Sequence, residues 1–163
     1  MPTPRPITTL DDQPIPVRVK LAAAWTSFMF LYAYVDILNF YTPGVVQDIL
    51  DGRVFEFDLS QTFSTAALAL VSVPALMIVL SATLPAKANR TTNLVVAAVY
   101  VPVTAFNGTG ESWLLFYGLG IALELMLLAL IVRCAWTWPR SAPATTTSAT
   151  SPDRATVRAH QQA

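Results

Sequence analysis

The feature that most constrains this chain is a series of apolar stretches separated by short polar turns, at about residues 19–41, 62–84, 92–106 and 113–136. At about 1.5 Å of rise per residue, a helix of roughly 20 apolar residues crosses a hydrocarbon layer about 30 Å thick. The third stretch, 92–106, is short for a crossing and needs flanking residues or local thinning to reach. Hydrophobic residues make up 54% of the chain and charged residues 12%, outside the range of water-soluble domains. The expected fold is all-α: an integral-membrane bundle of four transmembrane helices over residues 19–140, with the lipid bilayer as its first partner. A Pro-rich cytoplasmic arm, 1–18, and a disordered Ser/Thr/Ala/Pro tail, 141–163, are expected to flank it.

Several chemistries are excluded at once. The single cysteine, Cys134, allows neither an internal disulfide nor a Cys-x-x-Cys motif. The single histidine, His160, lies in the polar tail, so no metal site and no cofactor is expected within the spans. A formal net charge of zero gives nucleic acid no electrostatic footprint.

The outer connections have signals of their own. Thr42 as N-cap, Pro43 at the first turn and Gly52 past the end bracket a short helical pattern with Val45, Val46, Ile49 and Leu50 as its apolar positions, read as an interfacial helix. Asp58 with Gln61 resembles a capping box opening the second span, and Asn107–Glu111 reads as a tight turn. Trp113, Trp136 and Trp138 read as interfacial anchors. Orientation follows from the basic residues. Arg5, Arg18, Lys20, Lys87, Arg90, Arg133, Arg140, Arg154 and Arg158 fall on one side of a four-span arrangement and only Arg53 on the other. The positive-inside rule then places both termini in the cytoplasm.

Two carboxylates lie within the spans, where a charge costs at least about 2.5–3.5 kcal/mol on insertion scales. Glu124 falls near the midplane and Asp36 in the outer third, and neither has a basic partner at its own depth. Neutral polar residues accompany them at helical spacing. Tyr32, Asp36 and Asn39 share a face of the first helix, and Gln61, Ser64 and Ser72 lie close to one face of the second. Asn93, Ala97, Tyr100, Thr104 and Asn107 form a stripe on the third, and Trp113, Tyr117, Gly120 and Glu124 one on the fourth. Because hydrocarbon cannot satisfy them, the four stripes are expected to face one another. Glu124, Asp36, Asn107, Tyr100, Tyr117, Tyr32 and Asn39 are the candidate ligand or proton site. Gly118 with Ala122 reads as a small-residue packing contact. Pro74 and Pro102 each prevent a backbone bond, freeing the carbonyls of Leu70 and Ala98.

The stretch Ala24-Trp25-Thr26-Ser27 with Met29-Phe30-Leu31-Tyr32 and Asp36, then Pro74-Ala75-Leu76-Met77, Asn89-Arg90 with Asn93, Glu124, and Ala135-Trp136-Thr137-Trp138-Pro139 resembles an uncharacterised family of small four-helix bacterial membrane proteins, a domain-of-unknown-function family. The resemblance spans about residues 19–140. It implies a four-span fold and a bacterial inner membrane, and it brings no substrate.

Two function classes stay open. One is binding or transport of a proton, cation or small amphiphile in a polar pocket, with a homo-oligomer needed for any conducting path. The other is a structural or accessory subunit that meets a membrane protein partner and holds no ligand. An enzyme has the least support: there is no serine–histidine pair, no metal cluster and no cysteine pair, so no catalytic residue is assigned.

Overall fold

The computed structural model describes residues 13–107 and 113–139. The expected tail, most of the arm and the 108–112 turn fall outside the described residues. What is described is all-α apart from one small hairpin. Four long helices, α1 (Val17–Asn39), α3 (Gln61–Thr83), α4 (Ala86–Phe106) and α5 (Leu114–Trp136), are accompanied by the short α2 (Val45–Leu50) and the strands β1 (Arg53–Val54) and β2 (Phe57–Asp58).

α1, α3 and α5 are each 23 residues long and apolar enough to cross a membrane. The third stretch forms a longer helix than the apolar run alone predicts. Pro85 does not merely end α3 but serves as N-cap of α4, which starts six residues ahead of Thr92. Its 21 residues reach about 31 Å, though Lys87 and Arg90 make its first turns polar. Short range periodicity found the apolar part and missed the basic turns that lengthen it.

α1 is the central element, packed against α3 on one side and α5 on the other, and α5 in turn packs against α4. α3 and α4 are joined by only Leu84 and Pro85, yet they touch less than these pairs do. Buried side chains run along α1 (Leu21, Ala24, Trp25, Phe28, Tyr32), α4 (Asn89, Asn93, Ala97, Tyr100, Thr104) and α5 (Tyr117, Gly120, Glu124, Leu128, Ile131, Ala135). Both α4 and α5 thus bury one face at three-and-four spacing. α3 behaves differently: only Pro74, Met77 and Ser81, in its second half, are buried. The Gln61, Ser64 and Ser72 stripe therefore does not face the other helices. Gln61 and Ser64 are exposed, and the Ser72 hydroxyl donates to the Leu68 carbonyl of its own helix. A serine can satisfy itself this way, so its presence does not fix which face is inward.

Two further local expectations shift. Gly44, with φ of +94°, is the N-cap of α2 in place of Thr42, while Gly52 follows the helix as expected with φ of +78°. Asp58 lies in β2, and the cap of α3 is Ser60, whose Oγ accepts from the Phe63 amide at 3.1 Å. The α1–α5 small-residue contact is at Gly120 and not at Gly118: a Cβ on Gly120 would stand 3.1 Å from Val35 Cγ2, whereas one on Gly118 meets nothing within 4 Å. Outward, Phe30, Leu68, Leu76, Val79, Val99, Leu119 and Met126 are all more than half exposed, an apolar surface far broader than a water-soluble monomer leaves uncovered.

Candidate functional site

The loop side of the bundle holds a cavity of about 60 Å³ between α1, α4 and α5. α1 supplies Tyr32, Val35, Asp36 and Asn39 to its wall, α5 supplies Tyr117, Ile121 and Glu124, and α4 supplies Asn107. None of the lining residues comes from α3. Six of the seven candidate residues thus share one cavity, at the places where the i, i+3, i+4 and i+7 positions of three helices converge. The seventh, Tyr100, lies outside it.

Glu124 is the deepest lining group. It is ten residues past Leu114, about 15 Å along a helix of about 34 Å, and only 3% exposed. The Thr104 hydroxyl stands beside it as a hydrogen-bonding neighbour, but Thr104 Oγ1 and Glu124 Oε2 are each buried without a bond of ordinary length and angle. Asp36, by contrast, is exposed at the rim. The remaining polar groups are paired across helices: Tyr117 donates its hydroxyl to Asn39 Oδ1 at 2.6 Å, tying α5 to α1, and Asn107 Nδ2 donates to the Tyr32 hydroxyl at 3.3 Å, tying α4 to α1. These bonds fix the wall and engage neither the Asp36 nor the Glu124 carboxyl group. Among the described residues, no lysine or arginine lines the cavity. Among the described residues, no group of three or more histidine, cysteine, aspartate and glutamate side chains could hold a metal ion.

One wall residue is invisible to helical periodicity. Phe55 sits at the tip of the β1–β2 hairpin, where Arg53 pairs with Asp58 and Val54 with Phe57. Its φ of +55° is uncommon for a bulky residue and is held by the structure around it. The Leu59 amide donates to the Gly52 carbonyl at 2.7 Å to close the hairpin. Stacking of Phe57 on Phe63, with centroids 5.8 Å apart, fastens it to the start of α3. The alternation of Phe55 and Phe57 with acidic residues was the available signal, but nothing in it says that the hairpin folds back over α1.

Below the cavity the bundle is closed by aromatic rings. Phe28 packs edge-on against Trp25 at 5.7 Å and Tyr100 at 5.9 Å, and Tyr32 leans on Phe28 from above at 6.0 Å. The Tyr100 hydroxyl donates to the carbonyl of Leu70, the acceptor that Pro74 leaves free. Tyr100 therefore serves the α3 kink. Tyr100→Phe is expected to cost about 1 kcal/mol of stability by orphaning that carbonyl, read as a lower unfolding midpoint in a denaturing-detergent titration; an unchanged midpoint would mean that the bond carries nothing.

A second polar cluster lies past the rings, toward the α3–α4 turn. Asn93 Oδ1 accepts from Trp25 Nε1 at 2.7 Å and from Ser81 Oγ at 3.2 Å, while Asn93 Nδ2 donates to the Asn89 carbonyl and to Asn89 Oδ1 at 2.9 and 2.7 Å. Asn89 Nδ2 donates to the Ser81 carbonyl at 2.6 Å. Every side chain in it is fully buried and paired, so this cluster joins α1, α3 and α4 and offers no free group to a ligand.

The sequence matches a family of unknown function, DUF6326, over residues 17–145. The chain belongs to that family. The DUF6326 match opens on the first residue of α1 and continues past α5, so the family unit contains the whole helical assembly, the cavity and the buried cluster together. This agrees with the resemblance carried by the Trp25, Asn89, Asn93 and Glu124 segments. No curated protein matches the chain, and no solved structure does.

Proposed function

We propose that this DUF6326 protein is a four-span protein of a bacterial inner membrane, with both termini cytoplasmic, that binds a small cation in the cavity under Phe55. Three helices have the length and apolarity to cross, and α4, at 21 residues, is long enough to cross with its basic first turns at the membrane edge. The basic ends come together: Arg18 Nη1 at the start of α1 donates to the Ala82 carbonyl near the end of α3, and the Arg90 guanidinium lies over the Trp136 ring at 5.7 Å. A cytoplasmic assignment of that end leaves the cavity opening outward.

The single observation that carries the binding role is Glu124: buried, near the middle of its helix, with an unpartnered oxygen and no basic neighbour in the wall. A group so placed is costly and serves no packing contact that an apolar residue could not supply. Its negative charge is expressed when a cation enters, and the low-dielectric surroundings strengthen that attraction. The aromatic layer of Trp25, Phe28 and Tyr100 keeps the cation on the outer side in this conformation.

Titration calorimetry on the full chain in lipid nanodiscs, with Na⁺, K⁺ and methylammonium and with proton release followed in parallel, tests the reading. At least one of these cations is expected to bind, and Glu124→Gln to weaken it tenfold or more. Glu124→Leu removes an unpartnered buried group and is expected to fold as stably as the natural protein, or more so, while losing binding. The accessory-subunit reading draws on α3, whose outer half is almost wholly exposed. It expects no cation binding and one partner that co-purifies.

A further inference from the structure

Resting on the cation-binding reading above, we infer that the cavity takes a primary alkylammonium ion, with the –NH₃⁺ group between Glu124 and Asp36 and a short alkyl chain pointing out past Phe55. The wall combines two kinds of surface. It offers carboxylate, phenol and amide oxygens, of which Glu124 Oε2 is buried and without a partner. An ammonium carries three N–H donors, more than a proton can use and matched by a site with two carboxyl groups and further neutral oxygens.

The wall is also apolar and aromatic in part. Val35, Ile121 and Phe55 line it together with the rings of Tyr32 and Tyr117. Aromatic faces attract organic cations, by about 0.5–1 kcal/mol each at exposed sites, and hydrated inorganic ions draw nothing from Val35 or Ile121. Hard divalent cations are poorly served as well, since Ca²⁺ takes 6–8 oxygen ligands and no group of three or more ionisable ligands stands among the described residues. Anions meet two carboxyl groups and, among the described residues, no lysine or arginine.

Size narrows the class further. A cavity of about 60 Å³ has room for a few waters at about 10–15 Å³ of cavity space each, enough for an ammonium head and its first carbons. A bulkier body must lie outside, against Phe55, which is 59% exposed at the rim. The hairpin holds this ring in place by the Arg53–Asp58 pairing and the Phe57–Phe63 stack, so Phe55 discriminates among amines by their chains and not by their charge.

The test is calorimetric titration of the full chain in phosphatidylcholine–phosphatidylglycerol nanodiscs with methylammonium, propylammonium, Na⁺ and K⁺. Propylammonium is expected to bind more tightly than methylammonium and at least tenfold more tightly than either metal ion. Phe55→Ala, at an exposed tip, is expected to weaken propylammonium roughly two- to five-fold, the effect of uncovering about one CH₂ of its chain, and to leave methylammonium within a factor of two. Binding of Na⁺ or K⁺ as tight as propylammonium, or proton exchange alone, overturns the alkylammonium assignment and leaves the cation site standing. Binding of propylammonium that Phe55→Ala does not alter overturns the place given to the chain. If no cation binds and Glu124→Gln behaves as the natural protein does, both this inference and the reading beneath it fall.

Discussion

Asn93→Ala is expected to destabilise the bundle by about 2.4 kcal/mol, four side-chain hydrogen bonds at the roughly 0.6 kcal/mol each that such bonds average inside membrane proteins. The four are those from Trp25 and Ser81 to Oδ1 and those from Nδ2 to the Asn89 carbonyl and side chain. The substitution also leaves the Trp25 indole N–H and the Ser81 hydroxyl buried with no acceptor, which raises the cost further. Ser81→Ala is the internal control. It removes one of the four bonds and keeps the Ser81 carbonyl that accepts from Asn89, so a loss near 0.6 kcal/mol is expected. Unfolding midpoints in a denaturing-detergent series decide the matter. Equal midpoints for Asn93→Ala and Ser81→Ala would show that the cluster does not hold α1, α3 and α4 together.

Gly120→Leu is expected to cost about 1–3 kcal/mol, the usual penalty for overpacking a close contact. The first atom of any side chain at this position already meets Val35 Cγ2 at 3.1 Å. A leucine must therefore push α1 away from α5. Val35 shares the cavity wall with Asp36, and the Asn39–Tyr117 bond closes it one turn further out, so the same displacement opens the site. Gly118→Leu, where nothing lies within 4 Å, is expected to be neutral or to stabilise by up to about 1 kcal/mol through better helix propensity. Parallel unfolding of the two variants separates contact from composition. A Gly118→Leu protein as damaged as Gly120→Leu would return the close approach to the Gly118–Ala122 face.

The sequence and the structure divide their contributions along physical lines. Apolar length and helical period are local properties, and they are enough to read an all-α chain, the near positions of α1, α3 and α5, the short α2, and a polar face on α4 and α5 that carries Asn93, Tyr100, Thr104, Tyr117 and Glu124. Glu124 itself stands out without coordinates, because a carboxyl so far from either helix end with no basic residue at its depth needs an explanation. What spacing does not contain is the rotation of each helix about its axis and the identity of its neighbour. Ser64 and Ser72 suggest a polar face as Tyr117 and Glu124 do, yet the buried residues of α3 are Pro74, Met77 and Ser81, and a hydroxyl satisfied by its own helix, as that of Ser72 is, is free to face outward. The same limit separated Tyr100 from the cavity and gave it to the Leu70 carbonyl, moved the close helix contact from Gly118 to Gly120, and brought Phe55 over the carboxyl groups from a hairpin distant in sequence. Sequence alone determined that the chain has apolar helices with polarity buried among them. Only tertiary packing decided that this polarity splits into a fully paired cluster around Asn93 and, beyond a layer of aromatic rings, a cavity in which Glu124 Oε2 is left without a partner.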